Sequence, residues 1–273
     1  MSRVTSSIAE GASAGENSSA LVECQRVGPV GILTLNQAPR RNVLSSSMLA
    51  ELLEQFKEAA ADLSLKCLII AANGPAFCAG HDLKEILAGQ VKENERLFEL
   101  CTRVMEAIRL APQPVITQVQ GIATAAGCQL AATCDLVVAA EDASFATPGV
   151  KIGLFCSTPA VALSRAIPTK KALEMLFTGS PITAAEAERL GLVNRVVPPA
   201  RLAQETLELA QKIASASGDT LARGKQAFYE QVALDRPRAY QMAQAAMVDN
   251  AQTVDAREGM QAFVEKRAPR WTN

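Results

Sequence analysis

Histidine is almost missing from this chain: His81 is the only one in 273 residues. A His-rich zinc site is thereby excluded, and any Ser-His-Asp or Cys-His machinery has to run through that one side chain. An excess of charge is missing too. The 28 acidic and 27 basic residues nearly cancel and no long cationic run occurs, so the electrostatic footprint of a nucleic-acid binder is absent and no polyanionic partner is expected. No apolar run is long enough to span a bilayer, because acids or amides interrupt each one, and a soluble protein without a membrane span is expected. The seven cysteines are odd in number, show no Cys-x-x-Cys spacing and mostly sit inside apolar runs, which predicts buried free thiols in a reducing compartment.

What is present is an ordinary globular composition, 49% hydrophobic and 20% charged, in a chain long enough to bury a sizeable core. Residues 1–20 are rich in Ser, Ala and Gly, with one Arg and two Glu, and are read as a disordered leader. They are too acidic for an intact mitochondrial transit peptide, though compatible with what remains after one is removed. Residues 21–25 and 30–35 are β-rich and flank Val27-Gly28-Pro29, so the globular part opens with a hairpin. A helix follows over 46–63, where Leu49, Leu52, Leu53, Phe56, Ala60 and Leu63 recur at helical spacing. The all-apolar run 67–71 is the pattern of a strand buried on both faces in a parallel sheet. Then come a helix near 93–110, a strand at 115–119, a helix at 126–133 and a strand at 136–140. A last strand is expected at 193–197, preceded by a capping box with Thr183 as N-cap and Glu186 at N3. From Arg201 onward every segment reads as helical. The expected organisation is α/β, with a core over 21–198 and a helical region over 199–273.

Two stretches share one arrangement, a buried strand, a loop of small residues and the start of a helix. They are Asn73-Gly74-Pro75-Ala76-Phe77-Cys78-Ala79-Gly80-His81-Asp82-Leu83-Lys84-Glu85 and Gly121-Ile122-Ala123-Thr124-Ala125-Ala126-Gly127-Cys128-Gln129-Leu130. Helix N-termini present unpaired N–H groups and a positive dipole end, so two of them converging polarise a carbonyl oxygen, and small residues let a ligand approach. Tight strand-to-helix turns without ligand chemistry have the same look.

Residues 73–85 resemble the N-G-x-x-F-x-A-G-x-D-(L/I)-K-E signature of the crotonase, or enoyl-CoA hydratase/isomerase, superfamily. Ala38-Pro39-Arg40-Arg41-Asn42-Val43-Leu44 is similar to its P-x-x-N-A-L turn, residues 120–135 to its glycine-rich block, and Ser144-Phe145-Ala146-Thr147-Pro148 to the segment before its second catalytic position. The resemblance spans about 21–266 in unbroken order. It implies a spiral of ββα repeats with a C-terminal helical trimerisation region, a homotrimer or hexamer, and a bent acyl-CoA thioester as ligand. It also implies a mitochondrial matrix location and a role in fatty acid or lipid metabolism. No separate cofactor or metal is implied, since coenzyme A arrives as part of the substrate. By resemblance the oxyanion donors are the backbone N–H groups of His81 and Ala126. Arg41, Val43, Ala79, Asp82, Leu83, Gly127 and Pro148 fall where the family lines its CoA groove, and Lys266 where some relatives reach CoA phosphates.

Where the family's hydratases carry two glutamates, this chain has Gln129 and Gly149, neither able to exchange a proton usefully near neutral pH. A carboxylate used by dienoyl isomerases aligns near Ser157 and is missing as well. Ala125 and Ala126 replace two glycines of the family block. His81 is the one side chain titrating near pH 7, Cys156 is a candidate nucleophile or packing residue, and Asp82 is expected to cap its helix. Two readings follow: a non-catalytic acyl-CoA binder, or an isomerase, hydrolase or lyase acting on an unusual acyl-CoA with a base outside the family pattern. Restoring both glutamates is expected to raise crotonyl-CoA hydration modestly.

Overall fold

The computed structural model describes residues 20–272; the expected leader over 1–20 lies outside the described residues apart from Ala20. Strands β1 (Val22–Val27) and β2 (Val30–Leu35) form the expected hairpin around Gly28, whose φ of +59° closes the turn. β1 runs two residues past its expected end because pairing with β2 continues to Val27. Helix α1 (Ser46–Ala61) is capped by Ser45, whose hydroxyl accepts from Met48 N at 3.3 Å, and it buries Met48, Leu49, Leu52, Leu53 and Phe56. Each such side chain contributes roughly 1.5–3 kcal/mol when taken fully out of water. The helix stops short of Leu63, which is exposed, because the Asp62 carboxylate instead accepts from Ser64 N at 2.9 Å.

The chain then winds in repeats. Strands β3 (Cys67–Ala72) and β4 (Ala76–Cys78) precede helices α2 (Leu83–Ala88) and α3 (Val91–Leu110). Strands β5 (Val115–Val119) and β6 (Ile122–Thr124) precede α4 (Ala126–Thr133), and β7 (Leu136–Ala140) and β8 (Ser144–Ala146) precede α5 (Ser157–Ala166) and α6 (Thr169–Thr178). The last repeat holds β9 (Ile182–Thr183), α7 (Ala184–Leu190) and β10 (Arg195–Val197), followed by α8 (Leu202–Ala214), α9 (Gly218–Gln231), α10 (Arg236–Ala251) and α11 (Val254–Val264). One strand of each repeat enters a six-stranded sheet, order β1-β2-β3-β5-β7-β10, and the other a four-stranded sheet, order β4-β6-β8-β9. This is the ββα spiral that the resemblance implied. The second sheet lies inside segments that read as loops, because three-residue strands are too short to show a period. Two other expectations are corrected. Val193 and Asn194 precede β10, Asn194 Oδ1 accepting from Val137 N at 2.7 Å, and only half of the capping box forms. Thr183 Oγ1 accepts from Glu186 N at 3.2 Å, while the Glu186 carboxylate turns to Lys171 at 3.8 Å.

The pattern of β3 is what two-sided burial requires: Leu68 and Ile70 join the main core between the helices and the sheets, while Cys67, Ile69 and Ala71 join a second cluster under α8. Since α8 buries Leu202, Thr206, Ala210 and Ala214, the core crosses the expected boundary at 198 and the helical region begins as part of it. α9 docks through a buried ion pair. Lys225 Nζ donates to Asp135 at 2.7 Å and to the carbonyls of Ile108 and Gln113 at 2.9 and 3.0 Å, while Tyr229 OH donates to the other Asp135 oxygen at 2.7 Å. With its donors satisfied, that buried pair is not left uncompensated. Neither α9 nor α10 buries a residue, and Phe228, Val232, Met247, Val248, Phe263 and Val264 are exposed on this end of the chain. Cys24 is exposed and the other six cysteines are buried, so the expectation of buried free thiols fails for Cys24 alone. Among the described residues no helix is long and apolar enough to cross a membrane.

Candidate functional site

The two small-residue loops meet at Gly80. Its φ is +89°, and a Cβ there would stand 2.9 Å from Ala125 Cβ and 3.3 Å from Ala126 N, so only glycine lets the His81 loop and the start of α4 approach this closely. Ala126 is the first residue of α4 and His81 follows Gly80. Neither backbone N–H donates to a protein acceptor among the described residues. Two N–H groups without a protein acceptor thus stand at the junction of the two loops, one of them at a helix N-terminus, and N–H groups of this kind can hold a developing oxyanion. Ala125, with φ +51° and ψ −118°, is held in a region that L-residues rarely visit, fixed by its N–H donating to Ala146 O at 2.9 Å.

The His81 side is fastened by the segment 37–44. Leu44 N donates to Gly80 O at 2.8 Å and Ala79 N to Arg41 O at 3.0 Å. Asn42, fully buried with φ +52°, accepts from Gln37 N at 2.8 Å and donates to Asn73 O and Ala76 O at 2.9 and 3.0 Å. Arg41 and Asn42 take left-handed φ, which turns the chain so that Arg41 O receives Ala79 N and Leu44 N reaches Gly80 O. Asp82 caps α2, its Oδ1 accepting from Lys84 N at 3.1 Å, and pairs with Arg40. Burial alone would raise the Asp82 carboxyl, but the Arg40 guanidinium and the N–H groups of Lys84 and Glu85 hold it below the usual carboxylate range.

His81 has a fixed tautomer. Its Nδ1 lies 3.0 Å from Leu44 O, which can only accept, so Nδ1 carries the proton and Nε2 is a bare lone pair, buried with no partner. Burial pushes the imidazole below its ordinary pKa, against smaller opposing effects of Leu44 and Glu85. The ring stands edge-on to Phe98 at 5.3 Å between centroids.

Gln129 lies one turn along α4 from Ala126; it is 5% exposed and its Oε1 has no partner. Gly149 sits in a short 3-10 turn, Pro148–Ile152, and a Cβ there would lie 1.9 Å from Leu154 O and 2.8 Å from Cys156 Sγ. Its N–H donates to Cys156 Sγ at 3.3 Å, and burial pushes the Cys156 thiol upward, opposite to what a nucleophile needs.

A family model described as Enoyl-CoA hydratase/isomerase matches residues 26–273. The chain belongs to that family. Enoyl-CoA hydratase domain-containing protein 3, mitochondrial, of Rattus norvegicus is 50% identical over 242 residues, 88% of this chain and 81% of the relative. The Homo sapiens protein of that name is 49% identical over 242 residues, 88% of this chain and 80% of its own length. The crystal structure of an enoyl-CoA hydratase from Mycobacterium smegmatis superposes with a TM-score of 0.90 at 49% identity, covering 93% of this chain and 99% of that one. That of human enoyl Coenzyme A hydratase domain-containing protein 3 gives 0.90 at 48%, covering 92% and 100%.

Of the groove residues that the family pattern suggested, Gly127 packs tightly on β4: a Cβ there would stand 2.3 Å from Cys78 O. Pro148 opens the turn that holds Gly149. Lys266 is exposed, in a left-handed turn after α11, whose packing partners are α9 and α10. From there the tail runs back to α8, Trp271 Nε1 donating to Ser215 O at 2.8 Å. One cavity, about 380 Å³, lies under α9 against Pro114, Asp135, Lys225 and Tyr229, and none of the suggested residues lines it. The pattern gave candidate positions but not the contacts that support them: Gly80, the Asn42 bonds, the Arg40–Asp82 pair and Gln120, whose Nε2 donates to Ala72, Gly74 and Ala76 carbonyls at 2.9–3.1 Å. A polar residue inside an apolar stretch beside a turn is the only signal that could have found Asn42 and Gln120.

Proposed function

We propose that this chain binds acyl-CoA thioesters, with the thioester oxygen on the backbone N–H groups of His81 and Ala126, and that it hydrates enoyl thioesters poorly or not at all. One observation carries the second part: Gly149 has no room for a side chain, because Leu154 O fills the place of its Cβ at 1.9 Å. With an amide at Gln129 and no side chain at Gly149, no proton-exchanging group stands at either position. Each such group is commonly worth about 10²–10⁴-fold in rate. Binding alone needs only the donors and the segments that carry them. Names of the relatives, mitochondrial and enoyl-CoA hydratase, support a mitochondrial matrix location and a role in fatty acid or lipid metabolism. The exposed apolar side chains of the last helices support a homotrimer or hexamer, and no cofactor beyond the CoA of the ligand is needed.

The test is two measurements on the unmodified protein. Crotonyl-CoA hydration should stay near background, while calorimetry with acetyl-, acetoacetyl- and octanoyl-CoA should give micromolar binding of at least one. A kcat near the enzyme median of ~10 s⁻¹ refutes the loss of hydratase activity, and no heat with any thioester refutes binding. A monodisperse monomer by light scattering refutes the assembly. A second reading, turnover of an unusual acyl-CoA, is favoured by the bare Nε2 of His81. In a broad acyl-CoA screen it requires a turnover that His81→Gln abolishes.

A further inference from the structure

Helix α11 has little apolar hold on the rest of the chain. Of its residues only Asp255 and Ala262 are buried, and its packing partners α9 and α10 bury none. The contacts that fasten it come from the segment after it. At Lys266 the chain reverses in a left-handed turn, Arg267 N donating to Ala262 O at 3.0 Å. Residues 267–272 then run back along Asp255, Glu258, Gly259 and Ala262, which helical spacing puts on one face of α11. Arg267 holds Glu258 by two parallel bonds, Nη1 to Oε1 at 2.6 Å and Nη2 to Oε2 at 2.9 Å, and Arg270 N donates to the same Oε1 at 2.7 Å. The Trp271 ring lies over Gly259, 3.1 Å from where a Cβ would stand, and its Nε1 reaches Ser215 O at the end of α8. Thr272 donates through N and Oγ1 to Oδ1 of buried Asp255 at 2.8 and 2.9 Å. Burial alone would raise the Asp255 carboxyl, but the donors of Ser217 and Thr272 and the charge of Lys66 hold it below the usual carboxylate range.

We propose that residues 267–272 are a strap: closed, they bind α11 to the end of α8 in their own chain, and they open as a unit that frees α11 while the core stays folded. One exposed ion pair holds little, but a bidentate pair, a doubly bonded buried carboxylate and an indole along one helix face act together, so losing one loosens the others. Segments held by polar bonds near solvent open at lower cost than a packed core. Met260, Phe263 and Val264 are exposed on α11, so the strap also fixes where this apolar ridge is presented.

Trp271 is the only tryptophan in the chain, so its emission reports the strap directly. On the unmodified protein, urea should shift that emission to the red at a lower concentration than the one that abolishes far-UV circular dichroism. Hydrogen exchange in the same low urea should be at least about 10-fold faster over 254–264 than over 67–72. Coincident transitions, or equal exchange of the two segments, overturn the proposal. The double variant Asp255→Asn, Glu258→Gln should show red-shifted emission without urea and exchange over 254–264 faster by about 10–100-fold, with 67–72 unchanged. Lys171→Gln, which breaks the exposed pair with Glu174 elsewhere, should do neither. Unchanged emission and exchange in the double variant overturn the strap, and equal acceleration of both segments shows that the tail belongs to the cooperative core and overturns it too. The urea and exchange measurements on the unmodified protein stand whatever the variant does.

Discussion

Gly149→Ala isolates the claim that main chain occupies the second glutamate position. The added Cβ would lie 1.9 Å from Leu154 O, where a non-bonded carbon and oxygen need roughly 3.0–3.5 Å, so the 153–156 loop has to move by more than about 1 Å. Overpacking of this kind costs about 1–3 kcal/mol. Gly149 does not have a positive φ, so the lower entropy of an unfolded alanine returns about 0.4–1 kcal/mol. The net loss is then centred on about 1.3 kcal/mol and at most about 2.6, or roughly 3–5 °C in Tm at the centre and up to about 10 °C for a chain of this size. Gly224 in α9 is the control: nothing lies within 4 Å of its Cβ position, and Gly224→Ala should gain up to about 1 kcal/mol of helix propensity. Calorimetric melts of both variants decide the matter. A Gly149→Ala protein melting at or above the unmodified one, with Gly224→Ala behaving as expected, refutes the packing. The same overlap revises the expectation drawn from sequence. Gly149→Glu inherits it, so the double variant with Gln129→Glu should hydrate crotonyl-CoA no faster than Gln129→Glu alone.

Three further outcomes follow from the site. Ala125→Gly should stabilise by about 1 kcal/mol in chemical denaturation, because relieving a strained φ of +51° is worth about 1–3 kcal/mol and the glycine entropy cost is about 0.5–1. Asn42→Ala should destabilise by about 2–4 kcal/mol, since it unpairs Asn73 O and puts alanine at φ +52°, and calorimetry should show weaker thioester binding as the His81 loop loosens. The His81 pKa is depressed by burial, so the folded state favours neutral imidazole; its contribution is fully present above the ordinary value of 6.5 and is lost as pH falls below it. Denaturation from pH 7.5 to 5 should therefore show an acid-side loss of stability that His81→Gln diminishes.

The parts of the fold carried by long periodic segments were legible. Leu49, Leu52, Leu53 and Phe56 mark α1 at helical spacing, and Cys67 to Ala72 declares a strand buried on both faces. What escaped is what has no period: the three-residue strands β4, β6 and β8, and the role of α8 as the lid of the sheet rather than the start of an appendage. At the site, glycines and small residues announced a close approach, but not which glycine makes it. Gly80 needs its positive φ and its contact with Ala125, whereas Gly127 and Gly149 are glycine because Cys78 O and Leu154 O fill the space. That distinction lies in contacts between segments far apart in the chain, invisible to local pattern.

The two walls of the site are held very differently. The His81 wall is tied to segment 37–44 through Gly80 O, Ala79 N, the imidazole and the side-chain amide of Asn42, whereas the start of α4 rests on the 146–156 stretch through Ala125 N–H donating to Ala146 O. On the proposed acyl-CoA reading, one wall is thus a fixed jaw that sets where a thioester oxygen sits, and the other a compliant one. Accommodation of different acyl chains, and any drift of this chain toward new ligands, is channelled into the second wall, because residues there can change shape without uncoupling the donors opposite.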